Sequence, residues 1–127
     1  MRFARWVFLL AGIYGLLLLT PQYLLEGQVG RDQPPAITHP EFYFGFLGVA
    51  LAWQTAFLCI ATNPPRYRLL MLPSVLEKFS FAAATAVLFA QGRLAAVVLG
   101  FGMIDLLLGC LFIVAFLRCP ADSTHRS

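Results

Sequence analysis

The chain predicts an all-α fold: a polytopic membrane protein whose four transmembrane helices form one antiparallel bundle over residues 1–127. Three observations carry that prediction. Four apolar stretches, approximately Trp6–Leu25, Phe42–Thr62, Leu69–Ala90 and Leu94–Leu117, each reach the roughly 20 residues that a membrane-crossing helix needs. The composition is 60% hydrophobic and 12% charged, with a mean hydropathy of +0.78, so no soluble domain is left once the spans are counted. Continuous runs such as Leu16–Leu19 and Ala82–Ala84 lack the apolar–polar alternation of a barrel strand, which leaves helices to satisfy the backbone in lipid.

The elements follow in order. Arg2 and Arg5 precede the first apolar run, an arrangement shared with secretory signal peptides. The residues after that run, Thr20, Pro21, Gln22 and Tyr23, do not offer the small-residue cleavage site, so the run reads as a retained span. The connection Glu26–Glu41 contains Gly27, Gly30, Pro34, Pro35 and Pro40, which favours extended backbone and a plain spacer over a docking surface. His39 and Glu41 alone do not make a metal-ligand set. Span two stops at Asn63-Pro64-Pro65. Span three is expected to begin after Pro73, because Ser74 and Glu77 have capping-box spacing, leaving Leu69–Leu72 as an interfacial segment. Gln91-Gly92-Arg93 is so short that spans three and four must form an antiparallel hairpin.

Charge placement sets the expected orientation. Arg2, Arg5, Arg66, Arg68, Arg118 and Arg126 fall on one side, and Arg31 and Arg93 on the other. The positive-inside rule then puts both termini in the cytoplasm of a cell whose plasma (inner) membrane the chain crosses four times. The net charge of +3 belongs to these flanks, so no nucleic-acid partner is expected. Lys78, just inside span three, is expected to snorkel to the headgroups. Tyr23, Phe42, Tyr43, Phe44, Phe3, Trp6 and Tyr67 form the aromatic belts of the two interfaces. Cys59, Cys110 and Cys119 show no Cys-x-x-Cys spacing, which removes thiol-oxidising chemistry; Cys119 sits where a palmitoyl group is sometimes attached.

Depth counting yields the candidate site. At 1.5 Å per residue, Asp105 and Gln54 lie about 17–18 Å from the external ends of their spans, and Tyr14 and Ser80 about 15–17 Å. Trp53 shares this level, away from the interface that tryptophan prefers. A carboxylate at the bilayer centre costs at least about 2.5 kcal/mol, so Asp105 should face the bundle interior. Val98, Gly102, Asp105 and Gly109 share one helix face, and Gly45, Gly48, Ala52, Thr55 and Cys59 form a matching small-residue stripe on span two. Gly12 and Gly15 do the same for span one. An Asp105–Gln54 hydrogen bond that pins the packing is the simplest expectation; a ligand or proton site at the same layer is the functional one. Glu77, one turn nearer the cytoplasm than Ser80, is a secondary candidate beside its capping role.

Span-one residues Ala11-Gly12-Ile13-Tyr14-Gly15, the aromatic–glycine run Phe42–Gly48 and the segment Ile104-Asp105-Leu106-Leu107-Leu108-Gly109 give the chain a layout that resembles small DoxX-like bacterial membrane proteins. The resemblance covers most of the chain in layout and is loose in motif. It implies a quinone-linked or partner-protein role and transfers no catalytic residue. Small multidrug transporters carry a Glu in span one, and here the first carboxylate is Glu26 at its end. Cytochrome b-type bundles need intramembrane His pairs, whereas His39 and His125 lie outside the spans. A channel would repeat polar positions along a helix face. The sequence therefore carries no catalytic signature and no cofactor. It leans away from an enzyme and towards an accessory subunit in the lipid bilayer, packed against a membrane-protein partner or another copy of itself. The alternative is a binder or transporter of a lipophilic small molecule, quinone-like or lipid, at the mid-membrane layer.

Overall fold

Where proline removes an amide or glycine permits a reversed backbone, the apolar runs stop; between those points they are helix. The computed structural model describes residues 2–32 and 36–120. Pro34, Pro35 and the expected extended stretch around them lie outside the described residues, as do His125 and Arg126. Among the described residues there are five α-helices: α1 (Arg2–Leu19), α2 (Glu26–Asp32), α3 (Pro40–Thr62), α4 (Met71–Ala90) and α5 (Ala96–Arg118). There is no strand among the described residues. Counting adjoining 3-10 turns, Arg2–Leu24, Pro40–Thr62, Arg68–Ala90 and Ala96–Arg118 are long and apolar enough to cross a membrane.

The boundaries have local causes. Pro21 ends the α-helical ladder of α1, which tightens into a 3-10 turn over Thr20–Leu24. Pro40 opens α3 at a position whose amide has no intrahelical partner anyway. Asn63, disfavoured from helical geometry by the following Pro64, closes it. Gly92 adopts φ +70°, and the Arg93 amide reaches Leu88 O at 2.9 Å while Gly92 N donates to Phe89 O at 3.0 Å. That is a Schellman closure, and it forms the tight hairpin into α5.

Two expectations about connections change. The capping box does not form: a 3-10 turn at Arg68–Leu70 runs straight into α4, and Ser74 Oγ donates back to Leu70 O at 2.7 Å instead of capping. Pro73 is accommodated because it falls in the first turn, where amides lack intrahelical partners. Leu69–Leu72 is therefore continuous with the span, and Glu77 is released from capping. The first connection is not extended throughout either, since Glu26–Asp32 is α2.

Packing divides the bundle into two helix pairs. α1 lies along α3 and α4 along α5, α1 also meets α5, and the consecutive helices α3 and α4 make little direct contact. The densest core lies at the end that carries the amino end of α1 and the carboxyl end of α5. There Phe8 stacks on Phe112 at 4.2 Å between ring centroids, and Phe57 meets Phe112 edge-on at 5.0 Å. Ala4, Ala11, Ile60, Ala61, Met71 and Ala115 close around them. Without a hydrophobic force between helices in lipid, such shape-matched contacts hold the bundle. Each aromatic pair adds about 0.5–1.5 kcal/mol beyond buried area.

Two arginines finish helix ends at the same pole. Arg5 Nε donates to Ala61 O at 3.2 Å, near the end of α3. Arg68 Nε donates to Phe116 O at 3.2 Å and Cys119 O at 2.7 Å, with its guanidinium 3.7 Å from the Phe116 ring centroid. A cation there opposes the partial negative charge of a helix carboxyl end.

The small-residue faces hold in two helices, α1 and α5, and fail in one. Gly12, Gly15, Gly102 and Gly109 are buried, the first pair against α3 and the second against α4. On α3, however, Gly45, Gly48, Ala52, Thr55 and Cys59 are all exposed, and the buried face is Leu47, Ala50, Gln54, Phe57, Ile60 and Ala61. Apolar sequence all round α3 leaves its rotation to be set by Gln54 and the aromatic core, not by the size of its residues.

Candidate functional site

Away from the aromatic pole the two helix pairs part, and a cavity of about 730 Å³ lies between them. All four long helices line it. Its walls are apolar and aromatic, including Leu18, Phe46, Val49, Trp53, Leu76, Phe81, Val98 and Phe101; Gln22 of the 3-10 turn after α1 and Val29 of α2 border it too. Val49 and Leu76 are largely exposed, so the cleft opens on the side between α3 and α4. Phe46 and Phe81 face each other across that opening with ring centroids 6.2 Å apart.

The polar floor is built around Lys78. It is 3% exposed and does not snorkel. Its Nζ lies 3.4 Å from Asp105 Oδ1 and 3.7 Å from Glu77 Oε2, and 5.1 Å from the centroid of the Phe57 ring. The ammonium thus rests on the aromatic core, with one carboxylate from the neighbouring helix and one from its own. Where Lys78 was expected at the headgroups, the structure turns it inward onto Asp105, and α4 packs tightly enough on α5 to deliver it. Gly102 makes this approach possible, because a Cβ there would collide with Thr85.

Gln54 is 1% exposed, but it does not bond Asp105. Its Nε2 donates to Ala50 O at 2.8 Å, one turn back on α3, and its Oε1 lies against Gly15 with no hydrogen-bond donor. Tyr14 OH and Glu77 Oε2 are likewise buried without a hydrogen-bond partner. Ser80 lies at the exposed rim and donates to Glu77 O at 3.0 Å. Trp53 is half-buried in the wall, its ring 6.4 Å from that of Phe57. All five layer residues, Asp105, Gln54, Tyr14, Ser80 and Trp53, line one cleft together with Glu77. Residues that depth counting put at one level thus share one cleft; the expected Asp105–Gln54 pairing does not form.

Lys78 is the residue that sequence reasoning misplaced, although a signal was present. Counted from the external ends of spans three and four as read from the sequence, Lys78 lies about 18 Å in and Asp105 about 17 Å, so the two share a depth. An intramembrane ion pair is a functional-site candidate in its own right.

Other candidates are structural. His39 Nδ1 and Glu41 Oε1 sit 3.3 Å apart on the exposed surface. Among the described residues no three His, Cys, Asp or Glu side chains cluster as metal ligands. Cys59 and Cys110 are exposed on the apolar exterior. Cys119 is 2% exposed within the aromatic pole, and burial pushes its thiol pKa up, which argues against ready acylation there. Compared with known proteins, this chain matches no family model, and no curated protein or solved structure is significantly similar to it.

Proposed function

We propose that this protein binds a lipophilic small molecule with a polar head in the cleft between its helix pairs, the apolar part entering from the bilayer between α3 and α4. The observation that carries the reading is the conjunction of a cavity of about 730 Å³ with three buried polar atoms on its lining that lack hydrogen-bond partners: Tyr14 OH, Gln54 Oε1 and Glu77 Oε2. Ligand sites are typically about 300–1,000 Å³, mostly apolar with a few convergent polar groups. A buried polar group without a partner costs about 1–3 kcal/mol, which a ligand head can recover.

The second reading is an accessory subunit whose open α3–α4 side receives a helix of a larger membrane complex; the loose DoxX-like layout is in keeping with it. Purification in a mild neutral detergent followed by native mass spectrometry distinguishes the two. The binder reading expects a lone chain retaining a lipid-sized molecule that Trp53→Ala releases. A stoichiometric protein partner with no small molecule would sink it in favour of the subunit.

The same proposal places the chain in a plasma (inner) membrane with both termini cytoplasmic. Arg2, Arg5, Arg66, Arg68 and Arg118 mark one side against Arg31 and Arg93. Even with Arg5 and Arg68 set aside as helix-end partners, the bias keeps its sign.

A further inference from the structure

We infer that the head recognised in this cleft is a protonated amine, so that the occupant is a lipophilic cation. The inference rests on the binding reading above and adds the charge of the ligand. The floor holds two carboxyl groups and one ammonium: Glu77 and Asp105 on either side of Lys78. The other polar or aromatic-polar groups on the lining are Tyr14 from α1, Gln22 from the turn after it, Gln54 and Trp53 from α3, and Ser80 from α4, none of them basic. With both carboxyls ionised, the cluster is one positive charge short, and it lies in a membrane-spanning region where an uncompensated charge costs several kcal/mol. Lys78 spends its closest contact on Asp105. Glu77 Oε2, 3.7 Å from Nζ, is left buried without a hydrogen-bond donor.

A second observation is independent of the carboxylates. Gln54, fully buried in the same lining, also has a free acceptor, Oε1. Two unfilled acceptors and a charge deficit call for a head that donates hydrogen bonds and carries positive charge. An anion would meet Lys78 already engaged and two carboxylates repelling it. The aromatic surround agrees, because the aromatic side chains of Tyr14 and Trp53 line the cavity while the Phe57 face is occupied by Lys78 itself.

The test uses the full chain in a neutral maltoside detergent and three probes sharing a dodecyl chain: dodecyldimethylamine, cationic at neutral pH, dodecanol and dodecanoate. Affinity is read by native mass spectrometry titration. The expected order is amine first and dodecanoate last. Glu77→Gln should weaken the amine at least about tenfold, and by clearly more than it weakens dodecanol, whose hydroxyl can donate to the amide oxygen as to the carboxylate. That variant leaves Lys78 balanced by Asp105, and the comparison of heads in the unmodified protein needs no variant at all. Dodecanol or dodecanoate binding as tightly as the amine, or amine affinity indifferent to Glu77→Gln, would overturn the cationic head and leave a lipophilic binder standing. Failure of all three probes to bind would instead overturn the binding reading itself.

Discussion

Removing Lys78 removes the ammonium that Asp105 and Glu77 share, and the structure predicts an asymmetric penalty. Lys78→Met keeps the length of the stem but leaves two carboxyl groups facing one another at a depth where each ionised group costs about 2.5–3.5 kcal/mol. Breaking a buried pair by deleting one partner costs about 3–5 kcal/mol, and the 4% exposure of the Lys78 side chain puts it in that class. Asp105→Leu should be milder, about 1–3 kcal/mol, because Glu77 remains 3.7 Å from Nζ as a substitute counter-ion. The double variant should lose no more than Lys78→Met alone, giving a coupling at least as large as the Asp105→Leu cost, about 1 kcal/mol or more. Asp105→Asn retains an acceptor for Nζ and should stay close to the parent in stability; loss of ligand binding in that variant would assign the carboxylate to recognition and not to packing. Reversible unfolding in mixed micelles of rising dodecyl sulfate content, followed by circular dichroism, measures all four. A Lys78→Met variant within about 0.5 kcal/mol of the parent, or strictly additive single changes, would refute the buried-pair argument.

Three further outcomes follow from packing and exposure. Gly102→Ala should cost about 1–3 kcal/mol, because its methyl meets the β-branched Thr85 near the backbone, whereas Gly100→Ala and Gly45→Ala, with nothing within 4 Å, should be neutral; the same unfolding assay compares them. Cys119 should react with a water-soluble maleimide far more slowly than a cysteine placed at the exposed Arg66, and its rate should climb with pH, since a thiol pKa raised by burial leaves little thiolate near neutrality; equal rates would place Cys119 at the surface. In intact cells, impermeant labelling should reach cysteines placed at Gln28 or Thr38 and spare Arg66→Cys; labelling at Arg66 would reverse the proposed orientation.

Sequence alone determined the features that depend on counting along the chain. Apolar run length specified four spans, Gly92 and its neighbours specified the hairpin, and a rise of about 1.5 Å per residue put Tyr14, Trp53, Gln54, Ser80 and Asp105 at one level. Tertiary structure decided the features that depend on rotation about each helix axis, which changes by about 100° per residue. A span apolar on every side does not reveal which face it buries, so the small-residue stripe of α3 faces outward and Gln54 bonds its own helix. The sequence could not show whether the flexible stem of Lys78 carries its charge to the headgroups or inward. Only the approach of α5 to α4 over Gly102, and the Phe57 ring beneath, made the inward pairing with Asp105 the one observed. The parting of α3 from α4, which opens the cleft, is likewise a property of how two helix pairs meet, and no single segment encodes it.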